Sequence, residues 1–191
     1  MGYSTPNRMV WLYFSALQRR VQAIQATGNE AAAQEDIALC LMLTVAVIET
    51  FLNLFFRVAV SEPAFAQHQS LITRDLKRRA SLDHKLRRWP EAVFGRPLDP
   101  DDPIIRSFFA LKEKRNRLMH FASTHETFAG DGFQIEGLAD TSVLDDLALT
   151  DALTALQIAE DMIRVLLRHR GVAEATLPAA LHIWTGQPPL E

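Results

Sequence analysis

Residues 37–60, IALCLMLTVAVIETFLNLFFRVAV, constrain this chain more than any other stretch. As a helix the run is apolar on nearly every side, so most of its surface has to be covered. Its length would also suit a membrane, whose hydrocarbon core takes about 20 residues of helix. Glu49, Asn53 and Arg57, however, recur every four residues and form one polar stripe. Glu and Arg each cost roughly 2.5–3.5 kcal/mol at a membrane centre. The expected element is therefore a central, most buried helix over about residues 31–60, in a cytoplasmic protein with no membrane span. A buried Glu49 needs a partner, because an unpaired buried carboxylate is costly. Arg57 lies two turns away, which leaves Asn53, or Arg115 from another helix.

The flanking segments read as further helices. Thr5-Pro6 suits a cap and first helical residue. Val10, Phe14, Leu17, Val21 and Ile24 then make one apolar stripe, and Gly28-Asn29 stops the helix. Trp11, Tyr13 and Phe14 fit core or oligomer packing better than a base-stacking platform. A basic helix follows over about residues 68–79, then one over 82–94 capped by Ser81, which Pro90 should kink or shorten. Asp102-Pro103 opens another helix, with Ile104, Phe108, Leu111 and Leu118 toward the core and Lys112, Asn116 and His120 on a polar face. Beyond His120, FASTHETF, a glycine-rich turn and FQIEG read as a short β-hairpin. A last long helix over about 146–170 directs Leu149, Leu153, Leu156, Ile163 and Leu166 inward and closes at Gly171. Residues 172–191, with Pro178, Trp184 and Pro188-Pro189, read as a short helix and then an extended tail whose aromatics dock on the domain or on a second copy. The expected class is all-α, a bundle of four or more helices with one short hairpin.

Composition narrows the class of function. With 191 residues, 48% of them hydrophobic, the chain can bury a core as one domain without metals or disulfides. The lone Cys40 excludes an intrachain disulfide and suits a reducing compartment. No phosphate-binding loop, dinucleotide glycine pattern, CxxC or HExxH occurs, so neither cofactor nor metal is expected. Charge is uneven along the chain. Residues 74–96 carry eight basic and three acidic side chains, whereas 122–191 carry three and eleven. The basic run is either a solvated helical face or a phosphate-tracking patch.

Chemistry concentrates in Arg115-Asn116-Arg117-Leu118-Met119-His120. Arg presents a donor fork matched to phosphate oxygens, Asn can orient either partner, and His suits proton transfer near neutral pH. The Arg-x-x-x-x-His spacing is not rare here: chance predicts about half an occurrence, and the chain holds three, beginning at Arg79, Arg115 and Arg164. Only Arg115 is followed by Asn late in a long helix. On an ideal helix Arg115 and His120 lie about 140° apart, so two copies across a two-fold axis would gather the groups better than one. Glu113 and Arg117 suit a surface pair. His125 is either a secondary contact of the cleft or a solvated loop residue.

RNRLMH resembles the signature Arg-Asn-x-x-x-His of the HEPN superfamily of four-helix domains. AVIETFLNLFF upstream and SLDHKLRRWPEAVFGRPLD before LKEKRNRLMHF extend the likeness over roughly residues 31–170. The resemblance implies an N-terminal helix over 1–30 packed on the bundle or a partner, a HEPN-like domain over 31–171 and a C-terminal tail. It further implies a metal-independent endoribonuclease of toxin, defence or RNA-processing type. The ribose 2′-OH would attack the adjacent phosphate to leave a cyclic phosphate. His120 would act as acid and base, Arg115 would steady the phosphorane and Asn116 would orient them, with Glu49, Asn53 and Lys112 in support. RNA, a second copy and a protein such as an antitoxin are the expected partners. The competing readings are a non-catalytic HEPN-like module that binds RNA, nucleotide or protein, and a plain helical interaction protein.

Overall fold

The computed structural model describes residues 7–27, 30–119, 127–130, 132–136 and 142–186. The Thr5-Pro6 cap, the Gly28-Asn29 stop, His120, His125, Asp131 and the extreme C-terminus lie outside the described residues. The fold is all-α in class. Its helices are α1 (Arg8–Thr27), α2 (Glu30–Ala59), α3 (Gln69–Lys77), α4 (Leu82–Phe94), α5 (Pro103–Met119), a single turn α6 (Ser142–Asp145), α7 (Leu149–Arg170) and α8 (Leu177–Thr185). Between α5 and α6 two four-residue strands, Thr127–Gly130 and Phe133–Glu136, pair antiparallel with Gly130 opposite Phe133.

Helix α2 is the axis of the molecule. It packs on α1, α7, α5, α4 and α3, and Ile37, Val47, Ile48, Phe51, Leu52, Phe55 and Phe56 are wholly buried. By length and composition it could cross a membrane, but here much of its surface is covered by other helices. Phe51 stacks on Phe55 at 5.0 Å and meets Trp184 of α8 edge-on at 4.9 Å, while Phe56 reaches Trp89 of α4 at 5.5 Å. Such offset and edge contacts suit ring quadrupoles and each add about 0.5–1.5 kcal/mol beyond burial. One aromatic cluster thus ties α4 and α8 to the same stretch of α2.

The stripe Val10, Phe14, Leu17, Val21 and Ile24 is buried as its spacing predicts. On α7 the predicted face holds at Ile163 and Leu166 and is turned in the first half of the helix. Ala152, Ala155, Ile158, Ala159, Met162, Ile163, Leu166 and Leu167 are buried, whereas Leu149 and Leu156 are only partly covered and Leu153 is 38% exposed. The small residues let α7 approach α2 closely, and at that crossing the buried Thr44 hydroxyl lies 2.9 Å from the Cys40 carbonyl and 3.1 Å from that of Ala155. Gly171, at φ 100°, ends α7 in the left-handed conformation as a Schellman-type cap. Pro90 does not shorten α4, which runs through it to Phe94, and Ser81 caps that helix by accepting from the His84 amide at 3.2 Å.

Candidate functional site

Helix α5 carries the Arg-Asn motif and is anchored at both ends of its described length. Asp102 caps its start, accepting from the Ile104 amide at 2.7 Å. Ile105, Phe108, Leu111 and Leu118 form the core face, so Ile105 takes the place predicted for Ile104, which is only partly buried. Lys114 binds Asp151 of α7 at 2.7 Å, and that carboxylate also accepts from the Ala148 amide at 2.9 Å.

Lys112, on the predicted polar face, is instead buried, at 9% exposure. Its ammonium bonds Asp83 at the start of α4 at 3.0 Å and Glu113 at 3.1 Å, and sits 5.7 Å from the Phe109 ring. Burial alone would lower its pKa, but the two carboxylates outweigh burial and hold it above the ordinary value. Lys112 is therefore a strut between α5 and α4. Glu113 is engaged there and accepts a long bond, 3.4 Å, from Asn116, so the expected Glu113–Arg117 pair does not form. Arg117 instead lines the groove between α5 and α7.

Arg115 and Asn116 are both half-buried, and among the described residues the Arg115 guanidinium has neither a carboxylate nor a carbonyl partner. The intended third member, His120, lies outside the described residues. In the other two copies of the spacing, the His is held by the fold. The His84 ring donates to Asp75 at 3.1 Å, and the His169 ring donates to the Arg96 carbonyl at 2.8 Å. Burial, with the nearby Arg96 charge, keeps the His169 pKa below its ordinary value despite that bond. Arg164 is paired with Glu160.

The expected support from α2 is arranged differently. Glu49 is not buried: its side chain is 43% exposed and accepts from Lys85 of α4 at 2.7 Å, not from Asn53 or Arg115. The Lys85 side chain is the buried partner, at 4% exposure, with its ammonium 5.7 Å from the Trp89 ring. A cation in the first turns of α4 needed an acid from α2, and the four-residue stripe on α2 supplied it. Asn53 has a buried Oδ1 with no hydrogen-bond partner among the described residues, and Arg57 is exposed.

The second polar centre had no motif to announce it. Asp75 of α3, 5% exposed, accepts from Trp89 Nε1 at 3.1 Å, from His84 at 3.1 Å and from Arg74 at 3.4 Å. Burial would raise this carboxyl, but the bonds from Trp89, His84 and Arg74 prevail and its pKa lies below the ordinary carboxylate value. Asp75 thereby fastens α3 to α4 across the corner that precedes Ser81. Its only sequence signal was an acid within a strongly basic run. Among the described residues no three of His, Cys, Asp and Glu gather in a metal-binding group. No family model, no curated protein and no solved structure matches this chain, so the reading of the site rests on its own residues.

Proposed function

We propose that the chain is a metal-independent endoribonuclease of HEPN type that works as a two-fold dimer through the end of α5. The observation that carries this reading is the state of the three Arg-x-x-x-x-His copies. Two have their His committed to internal hydrogen bonds, and of Arg79 and Arg115, both without a carboxylate among the described residues, only Arg115 lies late in a long helix and is followed by Asn. An Arg left half-exposed without a carboxylate is suited to meet a phosphate in bidentate fashion.

In the proposed reaction His120 takes the proton of a ribose 2′-OH as that oxygen attacks the adjacent phosphorus. A P–O2′ bond forms, the P–O5′ bond breaks, and the departing O5′ receives a proton from the second His120 of the dimer. The products are a 2′,3′-cyclic phosphate and a 5′-hydroxyl. Arg115 neutralises the charge that accumulates on the non-bridging oxygens, and Asn116 orients the Arg or His. This chemistry demands positioning and charge more than a redox or nucleotide cofactor.

The test is incubation of the purified protein with mixed-sequence RNA, with and without excess chelator, followed by analysis of the ends. Cyclic phosphate ends that persist in chelator and vanish with 2′-deoxy substitution are expected. Products with 3′-hydroxyls that disappear on chelation would sink the mechanism. The roughly 140° between positions 115 and 120 on an ideal helix favours the second reading, a non-catalytic RNA-binding module, should the protein prove monomeric.

A further inference from the structure

Residues 74–88 place six cationic side chains on the surface of the α3–α4 corner: Arg74, Lys77, Arg78, Arg79, Arg87 and Arg88. Arg74 shares Asp75, but the other five have no anionic partner among the described residues. The acids that could have neutralised this corner are used inward, Asp75 by Trp89 and His84 and Asp83 by Lys112. A cluster of like charges left uncompensated repels itself and raises the local potential, which is the arrangement that collects polyanions.

The cluster has a shape as well as a charge. Gln69, Ser70, Thr73, Arg74, Lys77 and Arg78 line one open groove of about 580 Å³ along α3. Residues 70, 73, 74 and 77 fall at i, i+3, i+4 and i+7, one face of the helix about 10 Å long. Hydroxyl and amide groups therefore stand at one end of that face and guanidinium and ammonium groups at the other. Phosphate oxygens accept hydrogen bonds from both kinds of donor.

The corner after the groove is tied to the helix that carries the motif. Lys112 meets Asp83, and one turn and more further back on α5 Ile105 and Phe109 share a cavity with Leu86 and Arg87. Those contacts set the first turns of α4 beside α5, the helix that carries Arg115. Arg79 itself sits at φ 53°, a conformation that turns the chain sharply from α3 into α4.

We infer that the α3 groove and the Arg79 corner form a positioning surface for the backbone of single-stranded RNA, one that delivers the strand to Arg115. This rests on the endoribonuclease reading for the identity of the strand, but the surface acts in binding and not in bond cleavage. No residue of the groove is a catalytic residue.

The test separates binding from cleavage by using a fluorescent 2′-O-methyl RNA, which lacks the attacking hydroxyl, titrated by anisotropy over a range of salt. Single-strand binding falls with salt at a slope of about −0.7 per phosphate contact, so Lys77→Gln with Arg78→Gln should flatten the slope by about 1.4 and weaken binding about 25-fold at 0.1 M salt. Arg8→Gln with Arg19→Gln, on exposed positions of α1, removes the same charge elsewhere and should change binding little. Thermal midpoints confirm that each variant folds. An unchanged slope in the α3 variant, an equal loss in the α1 variant, or binding to anionic lipid vesicles but not to RNA would overturn the inference. Binding that behaves as expected with no cleavage of ordinary RNA would leave the surface standing and remove the nuclease.

Discussion

Substituting Asp75 should cost far more than an average surface change, and the reason is one buried N–H. The Trp89 indole is wholly buried and its Nε1 donates to Asp75 at 3.1 Å. In Asp75→Ala that donor loses its acceptor, which costs about 1–3 kcal/mol. The bonds from His84 and Arg74 add less, because those side chains are 46% and 55% exposed and screened by water; together they contribute about 1 kcal/mol. The expected loss is about 2–4 kcal/mol. For a chain of this length the unfolding entropy is roughly 0.4 kcal/mol per degree, so Tm should fall by about 5–10 °C. Asp75→Asn retains an acceptor for Trp89 and should lose only about 1 kcal/mol.

Thermal and urea denaturation followed by circular dichroism measure these losses, and a double-mutant cycle with Trp89→Phe isolates the bond. Once the indole N–H is gone, Asp75→Ala should cost about 1–2 kcal/mol less. The pH dependence has a fixed sign. Asp75 has a depressed pKa in the folded state, so its stabilising effect is complete above the unfolded carboxyl value of about 3.9 and fades as pH falls through the folded value. The gap between wild type and Asp75→Ala should hold from neutrality to about pH 4 and narrow below it by about the loss given for Asp75→Asn, since a protonated carboxyl still accepts from Trp89. An Asp75→Ala loss under about 0.5 kcal/mol, or a gap already closing between pH 7 and 5, would refute the account.

At the site, Arg115→Ala or His120→Ala should abolish RNA cleavage with Tm changed by no more than about 2 °C; His169→Ala should lower Tm and leave the residual activity per folded molecule intact. Glu49→Ala strands the buried Lys85 ammonium and should destabilise by about 1–2 kcal/mol in urea, less than a fully buried pair because Glu49 is 43% exposed, whereas Lys85→Met should recover part of that loss in the Glu49→Ala background. Gly186→Ala should lower Tm by several degrees, since the residue sits at φ 71° and an added Cβ would overlap the Trp11 ring. Cys40 should resist thiol reagents in the native state and react only on unfolding, being wholly buried with its thiol pushed up to about 11 by burial and by Asp36.

Apolar periodicity carried most of the architecture. The stripe from Val10 to Ile24 and the burial of α2 follow from spacing alone, because large side chains at helical intervals have one economical place to go. The same logic placed Ile163 and Leu166 of α7 correctly but misplaced the first half of its inner face, where Ala152, Ala155 and Ala159 are buried and Leu153 is exposed. A close crossing selects small residues, and a pattern of large ones cannot register it. Pairings between distant charges were less legible. Glu49 with Lys85, Lys112 with Asp83 and Asp75 with Trp89 each join residues whose proximity is decided by how helices cross. In the first two, Glu49 and Lys112, residues expected to support the site, hold two helices together instead.

The central position of α2 also sets a hazard during synthesis. Its 30 residues leave the ribosome early, while the α7 face that covers them, from Ala152 to Leu167, is made last. Until then a nascent chain displays an uncovered hydrophobic rod of the length that membrane-insertion machinery recognises. Among the described helices, α1 alone precedes it. Chains stalled or truncated before α7 should therefore aggregate or recruit holding chaperones, whereas chains extended past α7 can cover α2. Translation rate across α3–α5 thus becomes a determinant of how much protein reaches the native state.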